Sequence, residues 1–189
     1  VPAHGDVRAA DGGFRRVTDR LVHRGHVVSF YESTFEAPDG HRFTRDVVRH
    51  PGAVSAVPVD GDEIVLVRQY RAPVDRELLE IPAGKRDVDG EDPAVTANRE
   101  LGEETGLEAA SLELLVTMFH SPGFCDEEQL IYLATDLRPV DQVRGGIEEE
   151  HLSVVRIPFG QAVAHCLDGT ITDAKSIVGI LAAARRLGR

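Results

Sequence analysis

The chain has 189 residues, enough for one sizeable core, and its 42% hydrophobic and 28% charged content is that of a soluble globular protein. A net charge of −11 argues against a nucleic-acid backbone as the main partner. No apolar run approaches the roughly 20 residues that span a bilayer, so no membrane partner is expected.

Val1 to Gly13 is polar, has no apolar signal-peptide segment, and is expected to be a tail. Phe14 to Leu21 and His26 to Phe35 have β-prone character. Ala37-Pro38-Asp39-Gly40 is a strong turn signal, and His41 to Arg49 can return as the second arm of a hairpin. After His50-Pro51-Gly52, two apolar strands, Ala53 to Val59 and Glu63 to Tyr70, are joined by Asp60-Gly61-Asp62. Leu78 to Ile81 is a short strand that runs into Pro82-Ala83-Gly84. Leu112 to Phe119 and Gln129 to Thr135 read as paired strands around the loop His120 to Glu128. A polar linker, Pro139 to Gly146, precedes Glu148-Glu149-Glu150 and a strand at Leu152 to Ile157. Phe159 to Leu167 and Ala174 to Leu187 have helical spacing, with Gly169 between them and Arg185-Arg186 suiting a helix C-terminus. Strands on both sides of one helix, with helices closing the chain, make the class α+β, an α/β/α sandwich.

The most informative stretch is Asp92 to Leu107. Asp92 can cap a helix, Pro93 suits its first position, and Gly106 stands where a helix ends in a left-handed turn. Between them Glu100, Glu103 and Glu104 are spaced i, i+3, i+4 and crowd one face. Like charges at that spacing destabilise an isolated helix. A hard divalent cation bound through oxygen offsets such repulsion. The ordinary fate of such a cluster is a solvated acidic face. Against it stand Arg99, able to tie the cluster down, and Gly102, which costs about 1 kcal/mol against Ala inside a helix.

Gly84 to Leu107 resembles the Nudix box, in which Gly, five residues, Glu and seven residues precede Arg-Glu-apolar-any-Glu-Glu-any-Gly-apolar. From Glu91 onward every specified position is filled, by Arg99-Glu100-Leu101-Gly102-Glu103-Glu104-Thr105-Gly106-Leu107. One departure stands before it: six residues, not five, separate Gly84 from Glu91. The resemblance implies the Nudix fold, a mixed β-sheet between helices, with an N-terminal antiparallel β subregion. It divides the chain into residues 1–50, a tail and a β subregion that dimerises or exchanges between subunits, and a hydrolase domain at 51–189.

It also implies a metal site for Mg²⁺, with Mn²⁺ as the alternative. Glu100, Glu103 and Glu104 supply carboxylates, and Ala83 supplies a carbonyl unless it is only a tight-turn residue. Hydrolysis of a diphosphate needs neutralised phosphoryl oxygens and an activated water. Glu104 therefore counts as catalytic. In the ADP-ribose pyrophosphatases of this superfamily, an acidic loop before a strand carries the glutamate that deprotonates water. Register against Leu152 puts that base at Glu148, with Glu149 as the neighbouring alternative and Glu150 as a second acid.

Val67-Arg68-Gln69-Tyr70-Arg71 resembles the segment whose last arginine grips the diphosphate, which gives Arg71 that role in place of a surface arginine at a strand end. Glu80 is either a support for the site or a substrate contact. Pro122 lies sixteen residues beyond Gly106, the position of a proline that marks ADP-ribose hydrolases, or else it belongs to a plain Pro-Gly turn. Ser121, Gly123, Glu127 and Arg45 join it on the substrate side. Phe30 and Tyr31 are the candidates for stacking on adenine.

The implied function is metal-dependent hydrolysis of ADP-ribose to AMP and ribose 5-phosphate by a homodimer. The alternatives are hydrolysis of another nucleoside diphosphate sugar or dinucleotide, or a non-catalytic sensor of nucleotide sugars. Cys125 and Cys166 have neither metal-ligand spacing nor a disulfide framework, so a cytoplasmic location is expected. The eight histidines form no zinc-hydrolase pattern.

Overall fold

The structure, a computed structural model, describes residues 12–142 and 150–189. The chain divides into two compact units. One comprises the residues up to His50 together with Ser121–Asp126, and the other Pro51–His120 with Glu127–Arg189. The sequence gives no hint that Ser121–Asp126 belongs with the earlier strands.

In the first unit β1 (Arg15–Arg24), β2 (Ser29–Glu36) and β3 (Arg42–Arg49) form an antiparallel sheet in that order. The Ala37–Gly40 turn closes β2 onto β3, with Gly40 N–H on the Ala37 carbonyl and Asp39 Oδ1 accepting from His41 N–H. Phe124–Asp126 then adds to β3 by backbone pairing. Val48 N–H bonds the Phe124 carbonyl at 2.7 Å, and Asp126 N–H returns to the Val48 carbonyl. Asp126 also accepts from Arg49 and from His50 N–H, which anchors the segment.

The second unit holds a mixed sheet whose main path is β10 (Ser153–Pro158), β5 (Glu63–Arg71), β4 (Ala53–Asp60), β9 (Glu128–Pro139) and β8 (Leu107–Phe119). Only β4 and β9 run parallel; the other pairs are antiparallel. β4 reads as a continuous apolar run because it is covered on both faces, with every residue but Asp60 buried. Alternation then sorts its side chains. Val57 and Val59 join Ile64, Leu66, Ile131 and Ile180 on one face, while Val54 and Ala56 meet Ala97 and Leu101 on the other. The first face is covered by α2 (Phe159–Asp168) and α3 (Ala174–Leu187), the second by α1 (Pro93–Thr105). These layers are the expected α/β/α sandwich.

β4 and β5 pair only at their hairpin end, through Val59–Ile64 and Asp60–Glu63. Beyond it they part. β6 (Arg76–Glu80) takes up the rest of β5, and β7 (Ala83–Lys85) pairs with the start of β4. The connection Ile81-Pro82 fills the opening, its Pro82 carbonyl accepting from Ala56 N–H at 3.0 Å. The short strand expected at Leu78–Ile81 is thus half of a broken crossing. β8 and β9 are longer than expected, extending to a Leu107–Pro139 pair. No described helix is long and apolar enough to cross a membrane.

Candidate active site

The acidic helix α1 starts and stops where its sequence says. Asp92 accepts from Ala94 N–H at 2.8 Å, Pro93 opens the helix, and Gly106 ends it at φ 70° with its N–H on the Gly102 carbonyl. Leu101 and Ala97 face the sheet, and that rotation directs Glu100 and Glu104 toward the Ala83–Gly84 strand. Glu104 is only 4% exposed, and its Oε2 accepts from Ala83 N–H at 3.0 Å. Glu100 lies against Gly84. A Cβ at residue 84 would stand 1.9 Å from the Glu100 carboxyl carbon, so the glycine makes room for that carboxylate. The box departs from its pattern in the loop after Gly84, and this contact leaves Gly84 in use.

Arg99 ties the cluster together. It pairs with Glu100 at 2.9 Å, with Glu103 at 3.1 Å and with Glu91 at 3.4 Å. Burial works against its charge, and the surrounding carboxylates outweigh that and hold it protonated. Burial pushes Glu100 up to about 7 despite Arg99, and Glu104 up to about 8 despite the Ala83 N–H. Three carboxylates thus share one guanidinium, and Glu104 beside them has only the Ala83 amide. Hard oxygen donors that are held partly neutral for want of positive charge suit a divalent cation. Among the described residues no three acidic, His or Cys side chains yet converge on one point, since Glu103 is turned to Arg99 and Glu104 to the Ala83 amide. A cavity of about 580 Å³ opens on the outer side of α1, lined by Asn98, Arg99, Glu103, Glu108 and Asp141.

Arg71, at the end of β5, makes a two-pronged bond to Glu80, Nε to Oε1 at 2.7 Å and Nη2 to Oε2 at 2.6 Å. Glu80 is 0% exposed. Its Oε2 also takes the Lys175 ammonium, which lies 3.0 Å from Asp173 as well. Burial alone would raise Glu80 and Asp173. The cations beside Glu80, and Lys175 with the Ser176 donors beside Asp173, hold both carboxyls below the usual range. Both Glu80 oxygens are engaged from within the protein, by Arg71 and Lys175. Sequence reasoning missed Asp173, Lys175 and Ser176. A lysine in the first turn of a helix sits against the helix dipole, and that was the available signal.

The remaining expected residues fall elsewhere. Arg45, Ser121, Pro122 and Gly123 belong to the first unit, where Arg45, Pro122 and Gly123 line a cavity of about 300 Å³ with Phe35, Phe43 and Phe124. Arg45 stacks on Phe43 at 4.7 Å, and Tyr31 lies under Arg49 at 5.9 Å. Glu127 belongs to the second unit, 4.0 Å from His120. Glu148 and Glu149 lie outside the described residues, and Glu150 is exposed.

The NUDIX domain family matches residues 49–177. The chain belongs to the Nudix family. Its members need a divalent metal, and Gly84–Leu107, which includes the acidic helix, is the part of the chain that resembles the box. Among curated relatives, a methanol dehydrogenase activator of Bacillus methanolicus is 38% identical over 88% of this chain and 90% of its own length. An ADP-ribose pyrophosphatase of Mycobacterium tuberculosis is 38% identical over 92% of this chain and 84% of its own. A crystal structure of an ADP compounds hydrolase superposes with a TM-score of 0.79 at 25% identity, covering 93% of this chain and 94% of that one. This Nudix hydrolase shares with it the mixed sheet and the antiparallel N-terminal sheet.

Proposed function

We propose that this Nudix hydrolase splits the diphosphate of ADP-ribose into AMP and ribose 5-phosphate, with Mg²⁺ as its metal and Mn²⁺ as the alternative. The observation that carries the chemistry is the buried Glu104 on the Ala83 amide, beside Glu100 in the space left by Gly84. The choice of ADP-ribose is supported by the Mycobacterium tuberculosis relative and the ADP compounds hydrolase.

Glu100, Glu103, Glu104 and the Ala83 carbonyl would hold the cation, which neutralises phosphoryl oxygens and makes bound water more acidic. Arg71, whose Nε and Nη2 are taken by Glu80, offers its Nη1 donors to the anionic diphosphate oxygens. Water adds to one phosphorus, the bond from that phosphorus to the bridging oxygen breaks, and each half leaves with a phosphate. Glu148 takes the proton that the attacking water gives up, with Glu149 and Glu150 as its neighbours in the same acidic run. Arg45, Ser121, Pro122, Gly123 and Glu127 are assigned to the substrate.

The protein works as a homodimer built through the subregion at residues 1–50. In support, β1 is an edge strand whose Leu21 and Val22 are exposed. A substrate panel of ADP-ribose, GDP-mannose, NADH and diadenosine polyphosphates, read by released AMP or GMP, tests the reading. Preferred release of AMP from ADP-ribose supports it, and faster turnover of another member reassigns the substrate. Tight ADP-ribose binding without turnover in Mg²⁺ or Mn²⁺ makes the protein a sensor.

A further inference from the structure

We propose that Lys175 is a positioning residue for the reaction: through Glu80 it fixes the Arg71 guanidinium in the orientation that meets the diphosphate. The inference rests on the diphosphate-hydrolase reading above and adds to it a residue from the C-terminal helix.

The geometry is a relay of charge-assisted bonds. Glu80 Oε1 and Oε2 engage Arg71 through Nε and Nη2, and Nη1 takes no part in that bond. Oε2 is shared with Lys175, so the carboxylate is gripped from two sides and cannot turn about its end. Arg71 is partly exposed while Glu80 and Lys175 are buried, so the relay has one outward-facing member. That member is the arginine. Arg71 alone would neutralise Glu80. The further pair, Lys175 with Asp173, adds no net charge to the buried group, and it adds a second anchor.

A buried lysine is costly unless it is fully paired, and the dipole at the start of α3 makes this place worse for a cation. Lys175 is 6% exposed there and spends its ammonium on Glu80 and Asp173. The next residue along α3 acts on the neighbouring strand. Ser176 Oγ accepts from Ile81 N–H at 2.9 Å, two residues before Ala83, whose own N–H holds Glu104. One helix start therefore reaches both the arginine and the turn beside the acidic helix.

The test is a double-mutant cycle on K175M and R71A, with kcat and KM measured on the panel member that the native enzyme turns over. K175M keeps the stem and removes the charge. It is expected to raise KM about tenfold with kcat within about threefold, since a mispositioned Arg71 loses binding shared by ground and transition states. In the R71A background the same change is expected to leave KM within twofold, because the residue it positions is gone. A purely structural lysine would lower activity equally in both backgrounds. That result overturns the proposal, as does an unmoved KM for K175M alone. E80Q keeps the carboxylate shape and carries the same cycle from the middle of the relay. If K175M does not fold, equal effects of E80Q with and without Arg71 overturn the proposal, and an effect lost in R71A supports it. No turnover by the native enzyme on any panel member defeats the reading itself, whereas native turnover with uncoupled variants defeats this inference alone.

Discussion

Replacing Gly84 by Ala places a methyl group where the Glu100 carboxylate now lies. The added Cβ would fall 1.9 Å from the carboxyl carbon, 2.2 Å from Oε2 and 2.3 Å from Cγ. The nearest atoms belong to the far end of a flexible side chain, so the backbone need not move. Glu100 must retreat until it reaches an ordinary contact near 3.4 Å, a shift of about 1.5 Å. Gly84 does not lie at positive φ, so Ala brings no backbone strain. The cost to folding is therefore small, about 1 kcal/mol, or roughly 2–4 °C in a domain of this size. The cost to catalysis is not. A misplacement of about 1 Å in a reacting constellation is worth roughly 100-fold, close to 3 kcal/mol of barrier. AMP release from ADP-ribose in Mg²⁺, beside a thermal melt, measures both quantities. Expected are a kcat lowered about 100-fold and a melting temperature lowered by no more than a few degrees. Activity within twofold of native would refute the assignment of Glu100 to the metal and leave Gly84 a turn residue. A collapse of stability would show that the contact holds the fold instead.

Glu104→Gln swaps a buried carboxyl, which burial pushes up to about 8, for a neutral group of the same shape. Its melting temperature should stay within about 3 °C of native, while turnover falls by about 100-fold or more through the lost charge stabilisation. Unchanged turnover would remove Glu104 from the site. Gly102→Ala adds a methyl that meets Val140 at 3.5 Å and the Leu107 carbonyl at 3.8 Å, both ordinary contacts. Helix propensity should then raise stability by about 0.5–1 kcal/mol, and a lowered melting temperature would contradict the packing. Glu80 and Asp173 are held below their usual values, so the stability they contribute is complete above the ordinary carboxylate range. It is lost as pH falls through their lowered folded-state values. Lys175→Met removes part of that depression. Its acid unfolding midpoint, followed by circular dichroism, should lie at higher pH than the native one, and a coincident midpoint would show that Lys175 does not hold the pair.

Much of the fold could be read from residues that act locally. Asp92, Pro93 and Gly106 bound α1 because caps are short-range chemistry, and helical spacing running to Arg185-Arg186 marked α3. The β4–β5 turn and the apolar runs on either side of it gave a hairpin of two apolar strands. The parting of β4 from β5 was not legible, since backbone pairing of Ala83–Lys85 with Ala53–Ser55 leaves no side-chain pattern. Nor was the joining of Phe124–Asp126 to β3, for the same reason. In the site, the three glutamates and Arg99 sit within one turn and a half of helix and announce themselves. Lys175 meets Glu80 and its Arg71 partner from 95 residues away, where a single sequence carries no record of which charge finds which.

The break between β4 and β5 has a consequence beyond topology. An intact sheet is an insulator: its hydrogen-bonded strands and apolar side chains keep the charges of one helical layer from those of the other. Here the strands open, and Glu80, on β6 beside that opening, stands between Lys175 from one layer and Arg71 at the end of β5. Glu104, on the helix of the opposite layer, lies within the field of both cations. The final helix of the chain is thus wired to the acidic helix through the sheet. Changes made at the C-terminal end, such as a truncation within α3 or a fusion that loosens its first turn, should be felt at the acidic face of α1 on the far side.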